Sequence, residues 1–315
     1  MVRIVTEKPT PPSTNGHPPG GLRELLALAV PLIISTGSLT LMQVVDRIFL
    51  TWDSPLALAA SLPAALLHWT LISPAVGTAM YISTFVAQYE GAGEPRRVGA
   101  SVRQGTIFAL ITGVFYLAFA PFAGVIFASL GHGADVARLE AEYFSIMCLG
   151  TPAALLSHVF GAYFGGRGLT RIIMWVNLAG ALFNLVLDPF LIFGWGPFPR
   201  LSIRGAALAT LLAEILMTAI YLAMILRDRR RHEYSVFSKP MLDGPLFRRL
   251  LRYGLPSGMH MFTEVFSFSV FVFLIGTMGK VHLAASNLAF NLNALTFMPV
   301  FGMGMGVMTL VGNRL

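Results

Sequence analysis

Eight apolar stretches, each long enough to cross a bilayer, constrain this chain more than any other feature. They occupy residues 25–51, 56–87, 98–127, 136–160, 171–193, 204–226, 254–278 and 282–312. About twenty apolar residues in a helix span the hydrocarbon core. In that solvent every backbone N–H and C=O must find a partner without water, and a helix supplies one within its own segment. Charge is too scarce for a soluble alternative, since 12% of residues are ionic against roughly 25% in soluble domains. The expected fold is all-α, a polytopic membrane helix bundle of eight spans.

The net charge of +7 invites a nucleic-acid reading, but its placement argues against one. Seventeen of the 22 lysines and arginines fall on one side of the bundle if the N-terminus is cytoplasmic; Arg47, Arg138, Arg200, Arg204 and Lys280 fall on the other. That asymmetry is the positive-inside pattern. It supports an even number of spans in the inner (cytoplasmic) membrane, with lipid and not nucleic acid as the surrounding partner. The single cysteine, Cys148, excludes an internal disulfide and any multi-cysteine metal site. Residues 1–21 are polar and proline-rich without the apolar core of a signal peptide, and read as a disordered cytosolic tail.

A shift of 225 residues brings the chain into register with itself. Pro31 then faces Pro256, 58–61 faces 283–286 with the same Leu-Ala-Ala-Ser, Pro74 faces Pro299, Gly77 faces Gly302 and Thr84 faces Thr309. Six spans separate the copies, so both begin on one face, as in a parallel transporter repeat. The implied domains are an N-lobe over 22–226, a basic linker over 227–249, and a second copy over 250–315 that holds only two of its six spans. Pro31 and Pro256 each free a backbone carbonyl and are the candidate hinges.

Several segments resemble one transporter family. LALAVP at 26–31, LLRYGLP at 250–256, VDRIFL at 45–50, QYEGAG at 88–93, NLVLDPFLIFG at 184–194, GAALAT at 205–210 and TLVGNRL at 309–315 are similar to MATE (multidrug and toxic compound extrusion) exporters of the NorM type. The resemblance implies twelve spans in two six-span lobes that export organic cations in exchange for sodium ions or protons. It implies that this chain is C-terminally incomplete, holding the N-lobe and the first third of the C-lobe.

Ionisable groups inside spans cost roughly 2.5–3.5 kcal/mol each on insertion scales and mark function. Asn184 and Asp188 stand one turn apart on one face of the fifth span, with Asn177 two turns before Asn184. Pro189 leaves the Leu185 carbonyl without a helical donor. An acid, an amide and a free carbonyl so grouped suit a hard cation or a shuttling proton. Asp46 and Thr210 lie at a similar depth in the first and sixth spans. The blander readings are an interfacial Asp46 paired with Arg47, a structural hydrogen bond for Asp188, and a Thr210 hydroxyl bonded to its own helix. Glu214, one turn beyond Thr210, either joins the pocket or faces a neighbouring helix. The family resemblance assigns Asp46, Asn184, Asp188 and Thr210 to the cation-coupling pocket, with Na+ possible at Asp46, Asn184 and Asp188. It assigns Glu264 to a second acidic site.

The expected function is cation-coupled antiport by a monomer, with Na+ or H+ as coupling ion, small organic cations as substrates, and no cofactor. The rivals are a lipid-linked oligosaccharide flippase of the same superfamily and a non-transporting truncated remnant. No metal-ligand spacing or phosphate loop supports an enzyme.

Overall fold

The computed structural model describes residues 21–228, 230–237, 242–277 and 299–314. The expected N-terminal tail, the Leu-Ala-Ala-Ser repeat at 283–286 and the first half of the eighth span lie outside the described residues. Regular structure among the described residues is helical. In chain order it comprises α1 (Leu22–Asp53), α2 (Pro55–Met80), α3 (Ile82–Gly91), α4 (Pro95–Leu117), α5 (Ala123–Ala128), α6 (Ala134–Gly166), α7 (Thr170–Phe193), α8 (Ile203–Arg227), α9 (Arg231–Tyr234), α10 (Gly244–Thr277) and α11 (Pro299–Gly312). Six runs are long and apolar enough to cross a membrane: α1, α2 with α3, α4 with α5, α6, α7 and α8. The 34-residue α10 holds the seventh expected span, and α11 the end of the eighth.

Two expected spans are interrupted. The second tightens at Tyr81, whose carbonyl accepts from Thr84 N only three residues on, at 3.0 Å, and this divides α2 from α3. The third divides around Pro121, which has no N–H to give, in a 3-10 turn over Ala120–Phe122 between α4 and α5. The linker is also shorter than expected, because α10 begins at Gly244. Asp243 Oδ1 accepts from Leu246 N at 3.1 Å, capping an orphan donor of the first turn.

The corners on the far side from the linker are tight for local reasons. Ser54 caps α2 by accepting from Ala57 N at 3.4 Å, with Pro55 in the first turn. Gly194 ends α7 at φ +75, and a Cβ there would sit 2.7 Å from Arg200 N; only glycine lets the chain turn back this closely. Arg200 then reaches Asp53 at 2.8 Å, the Ser202 hydroxyl bonds the same carboxylate, and Arg204 grips Glu142 with two bonds of 2.7 and 2.8 Å. These contacts pin the ends of α1, α6, α7 and α8 together.

Inside the bundle α1 packs along α7, α6 against α2 and α8, and α10 along α2. The outer surface is apolar. Leu110, Ile111, Val114 and Phe115 form an exposed stripe on α4, and Trp175, Leu182 and Val186 one on α7. Such contiguous apolar exposure belongs to a lipid-facing surface. The opposite face of α7 carries Asn177, Asn184 and Asp188, so the helix separates lipid from site. Cys148 is buried in the core of α6.

At the linker end, Arg167 follows α6 and lies 2.7 Å from Asp228. Its guanidinium sits over Tyr163 at 4.7 Å and Tyr234 at 4.2 Å. The Tyr163 hydroxyl donates to Asp228 at 3.1 Å, and the Tyr234 hydroxyl to Glu90 at 2.8 Å. The start of the linker is thereby fixed to the first six spans.

The 225-residue offset reappears in the packing. A Cβ on Gly77 of α2 would stand 2.7 Å from Gly258 Cα on α10, and one on Gly302 of α11 would stand 2.5 Å from Ile33 of α1. The offset carries Gly77 to Gly302 and Ile33 to Gly258, so exchanging the two copies converts the first contact into the second, as in a self-complementary twofold interface. The consequences of substitution differ, however. A Cβ on Gly258 meets the Pro74 carbonyl oxygen at 2.1 Å, whereas one on Gly302 first meets the flexible Ile33 Cγ1. Gly258→Val is expected to cost about 1–3 kcal/mol through overpacking, and Gly302→Val clearly less. Thermal unfolding of the two variants in detergent checks the order; equal losses would contradict it.

Candidate functional site

The far-side third of the bundle brings α1, α6, α7 and α8 around one cluster of polar side chains. Leu50, Ala57, Ala60, Ile192, Ile203 and Ala206 form a buried cluster next to it. Asn184 and Asp188, one turn apart on α7, are completely buried, while Asp46 on α1 is partly buried. With its amide oriented to satisfy its neighbours, Asn184 donates to Asp46 Oδ1 at 2.8 Å and accepts from Thr210 N at 3.3 Å. One side chain thus ties α1, α7 and α8 together.

Asp46 and Asp188 present their carboxylates to each other. Both Asp188 oxygens are buried with no donor in reach. Buried polar groups almost always have partners, and two ionised carboxylates are acceptors only. A shared proton or a bound cation is what can join them. The Thr210 hydroxyl lies against Asp46 and is also 3.1 Å from the Ala206 carbonyl of its own helix, so both expectations for that residue describe part of its surroundings. Arg47 is exposed and acts on Asp46 through its field. The oxygens of Asp46, Asp188 and Thr210 make a donor set suited to a hard cation.

Asn177 belongs to a second polar layer, two turns or roughly 10 Å nearer the linker face. Its Nδ2 donates to the Ser35 hydroxyl of α1 at 2.7 Å, and its Oδ1 accepts from the Tyr221 hydroxyl of α8 at 3.2 Å. Glu214, half-buried on α8, lies between the two layers, one turn from Thr210 and two turns from Tyr221, which it reaches through its field. Glu264 is not brought to either layer; it is two-thirds exposed on α10, 3.7 Å from His260. Pro31 is buried within α1 and Pro256 is exposed within α10, and both helices continue through their prolines.

Sequence reasoning missed three members of the site. Tyr143, on α6, stands close enough to Asp46 and Asp188 to feel both charges. Ser35 and Tyr221 complete the second layer. The only sequence signal was a hydroxyl inside an apolar span, which many membrane residues share.

A model of the MatE family matches residues 31–190 and 256–315. Multidrug resistance protein PmpM of Pseudomonas aeruginosa is 31% identical over 306 residues, which cover 93% of this chain and 62% of that protein. Multidrug resistance protein NorM of Vibrio cholerae is 29% identical, over 92% of this chain and 64% of its own length. A solved outward-facing multidrug resistance MATE family transporter of the MOP superfamily superposes with a TM-score of 0.83 at 23% identity, again over 92% of this chain and 64% of that one. The chain therefore spans less than two thirds of the length of these relatives.

Proposed function

As a member of the MatE family, this multi-pass membrane protein is one that we propose to carry the ion-coupling lobe of a cation-driven antiporter that exports small organic cations. The observation that supports this reading most is the facing pair Asp46 and Asp188, with both Asp188 oxygens buried and undonated. A sodium ion or proton entering from the far side supplies the missing positive partner and neutralises the pocket. Neutralisation weakens the attraction for an organic cation held nearby. The layer formed by Ser35, Asn177 and Tyr221 continues the polar path between α1, α7 and α8 towards the linker face. Asn184 positions Asp46, and through Thr210 N it passes a change in the pocket to α8.

The same proposal sets the N-terminus and the linker in the cytoplasm of an inner membrane, from the distribution of arginine and lysine. The carboxylate pair then lies nearer the outside, from which the coupling ion is supplied. The test is efflux of a preloaded lipophilic cationic dye from proteoliposomes. Efflux should quicken when Na+ or protons are supplied on the opposite side; a rate indifferent to both gradients would sink the reading.

A further inference from the structure

We propose that the first three turns of α10 form a binding site for the headgroup of an anionic phospholipid in the leaflet on the linker side. Arg248, Arg249, Arg252 and Tyr253 line a cavity of about 670 Å³ together with Gly244 and Pro245. Their spacing places them on one side of the helix, and all four side chains are exposed.

This cluster gathers three arginines on one side of a helix around one hollow, whereas several other basic residues at the same end are neutralised in ion pairs. Arg97 is paired with Glu94, Arg167 with Asp228, Arg230 with Glu233, and Arg314 with Glu24. Arg248 and Arg252, one turn apart, have no carboxylate within ion-pair distance among the described residues. Arg249 is fixed in place instead: it donates to the Tyr89 hydroxyl at 3.1 Å and lies 5.6 Å from the Phe85 ring. Arg252 lies 5.7 Å from the ring of Tyr253. The result is two guanidiniums without a carboxylate partner among the described residues beside an anchored third, a geometry that suits the oxygens of a phosphodiester.

The surface below the cluster points to a lipid rather than a free anion. Following the helix from Arg248 and Arg252 by steps of three and four residues leads to Leu255, Met259 and Phe266, all exposed. One face of α10 therefore runs from the cationic Arg248 and Arg252 to the apolar Leu255, Met259 and Phe266, in the order of headgroup and acyl chain. Because Arg249 also holds Tyr89 at the end of α3, a bound headgroup would reinforce the contact between α10 and the first six spans. The orientation proposed above makes this the cytoplasmic leaflet, but binding itself depends neither on that orientation nor on transport.

Native mass spectrometry of the detergent-solubilised protein, titrated with phosphatidylglycerol and with phosphatidylcholine, tests the site. Phosphatidylglycerol should be retained in preference to phosphatidylcholine. At about 1 kcal/mol per basic residue near an anionic surface, R248Q/R252Q should weaken phosphatidylglycerol binding roughly thirtyfold and leave phosphatidylcholine unchanged. R248K/R252K should keep most of the binding, and the charge-matched control R23Q/R96Q should keep all of it; both report on folding. Equal retention of the two lipids by the unmodified protein would overturn the proposal. So would an equal loss in R23Q/R96Q, which would mean diffuse attraction, or displacement of the lipid by equimolar inorganic phosphate, which would mean a free-anion site.

Discussion

Asp188→Asn is expected to bring cation-coupled dye efflux to background while leaving the bundle at least as stable as before. The two readouts separate because of what the amide changes. Asparagine matches aspartate in shape, so the buried position beside Asn184 stays filled. It adds an NH2 donor that can bond the Asp46 carboxylate, which the native Asp188 oxygens cannot do while ionised. Relieving an unsatisfied buried group is worth about 1–3 kcal/mol, so thermal unfolding should shift upward or stay level. The variant keeps one carboxylate where two are needed to exchange an organic cation for a coupling ion. Normal efflux would remove Asp188 from the mechanism, and a collapsed melting temperature would show that it is structural.

The second large effect is expected at the linker. Asp228→Ala leaves Arg167 buried between two tyrosine rings without its carboxylate. Breaking a buried pair by deleting one partner costs about 3–5 kcal/mol. The side chain of Asp228 keeps some solvent exposure, so about 2–4 kcal/mol is expected after screening. The loss should be local, appearing as faster amide exchange over residues 230–236 ahead of any change in the spans. Burial alone would raise the Asp228 carboxyl, but the Arg167 guanidinium, the Arg230 N–H and the Tyr163 hydroxyl together hold it below its ordinary 3.8. A lowered carboxyl contributes stability above that ordinary value and loses it as the pH falls through the lower folded value. The linker contact should therefore survive acidification from pH 7 to about 5 and release only in stronger acid. Release in mildly acidic buffer would contradict the pairing.

Much of the fold could be read from the residues because bilayers enforce length and hydropathy. The six long spans match expectation, and Gly77 and Gly302 each lie where a helix from the other part of the chain comes close. Asn177, Asn184 and Asp188 share the expected face of α7, since helical periodicity fixes angular position. What could not be read was partnership across helices. Nothing in sequence says that Asn177 reaches Ser35 and Tyr221 rather than the carboxylate pair, or that Tyr143 approaches from α6. The breaks at Tyr81 and Pro121 were hidden by continuous apolar runs, in which hydropathy is blind to a tightened turn. The early start of α10 was masked by its arginines, which belong to the helix but not to the hydrocarbon.

In the proposed cycle Asp46 and Asp188 share one positive charge between them. Infrared difference spectra of the carboxyl stretch, recorded on adding Na+ or on changing pH, report on that charge directly. The unmodified protein should show a carboxyl band that changes with one of these ions, and Asp188→Asn should lack the change. Identical difference spectra from the two proteins would mean that the pair holds no exchangeable ion.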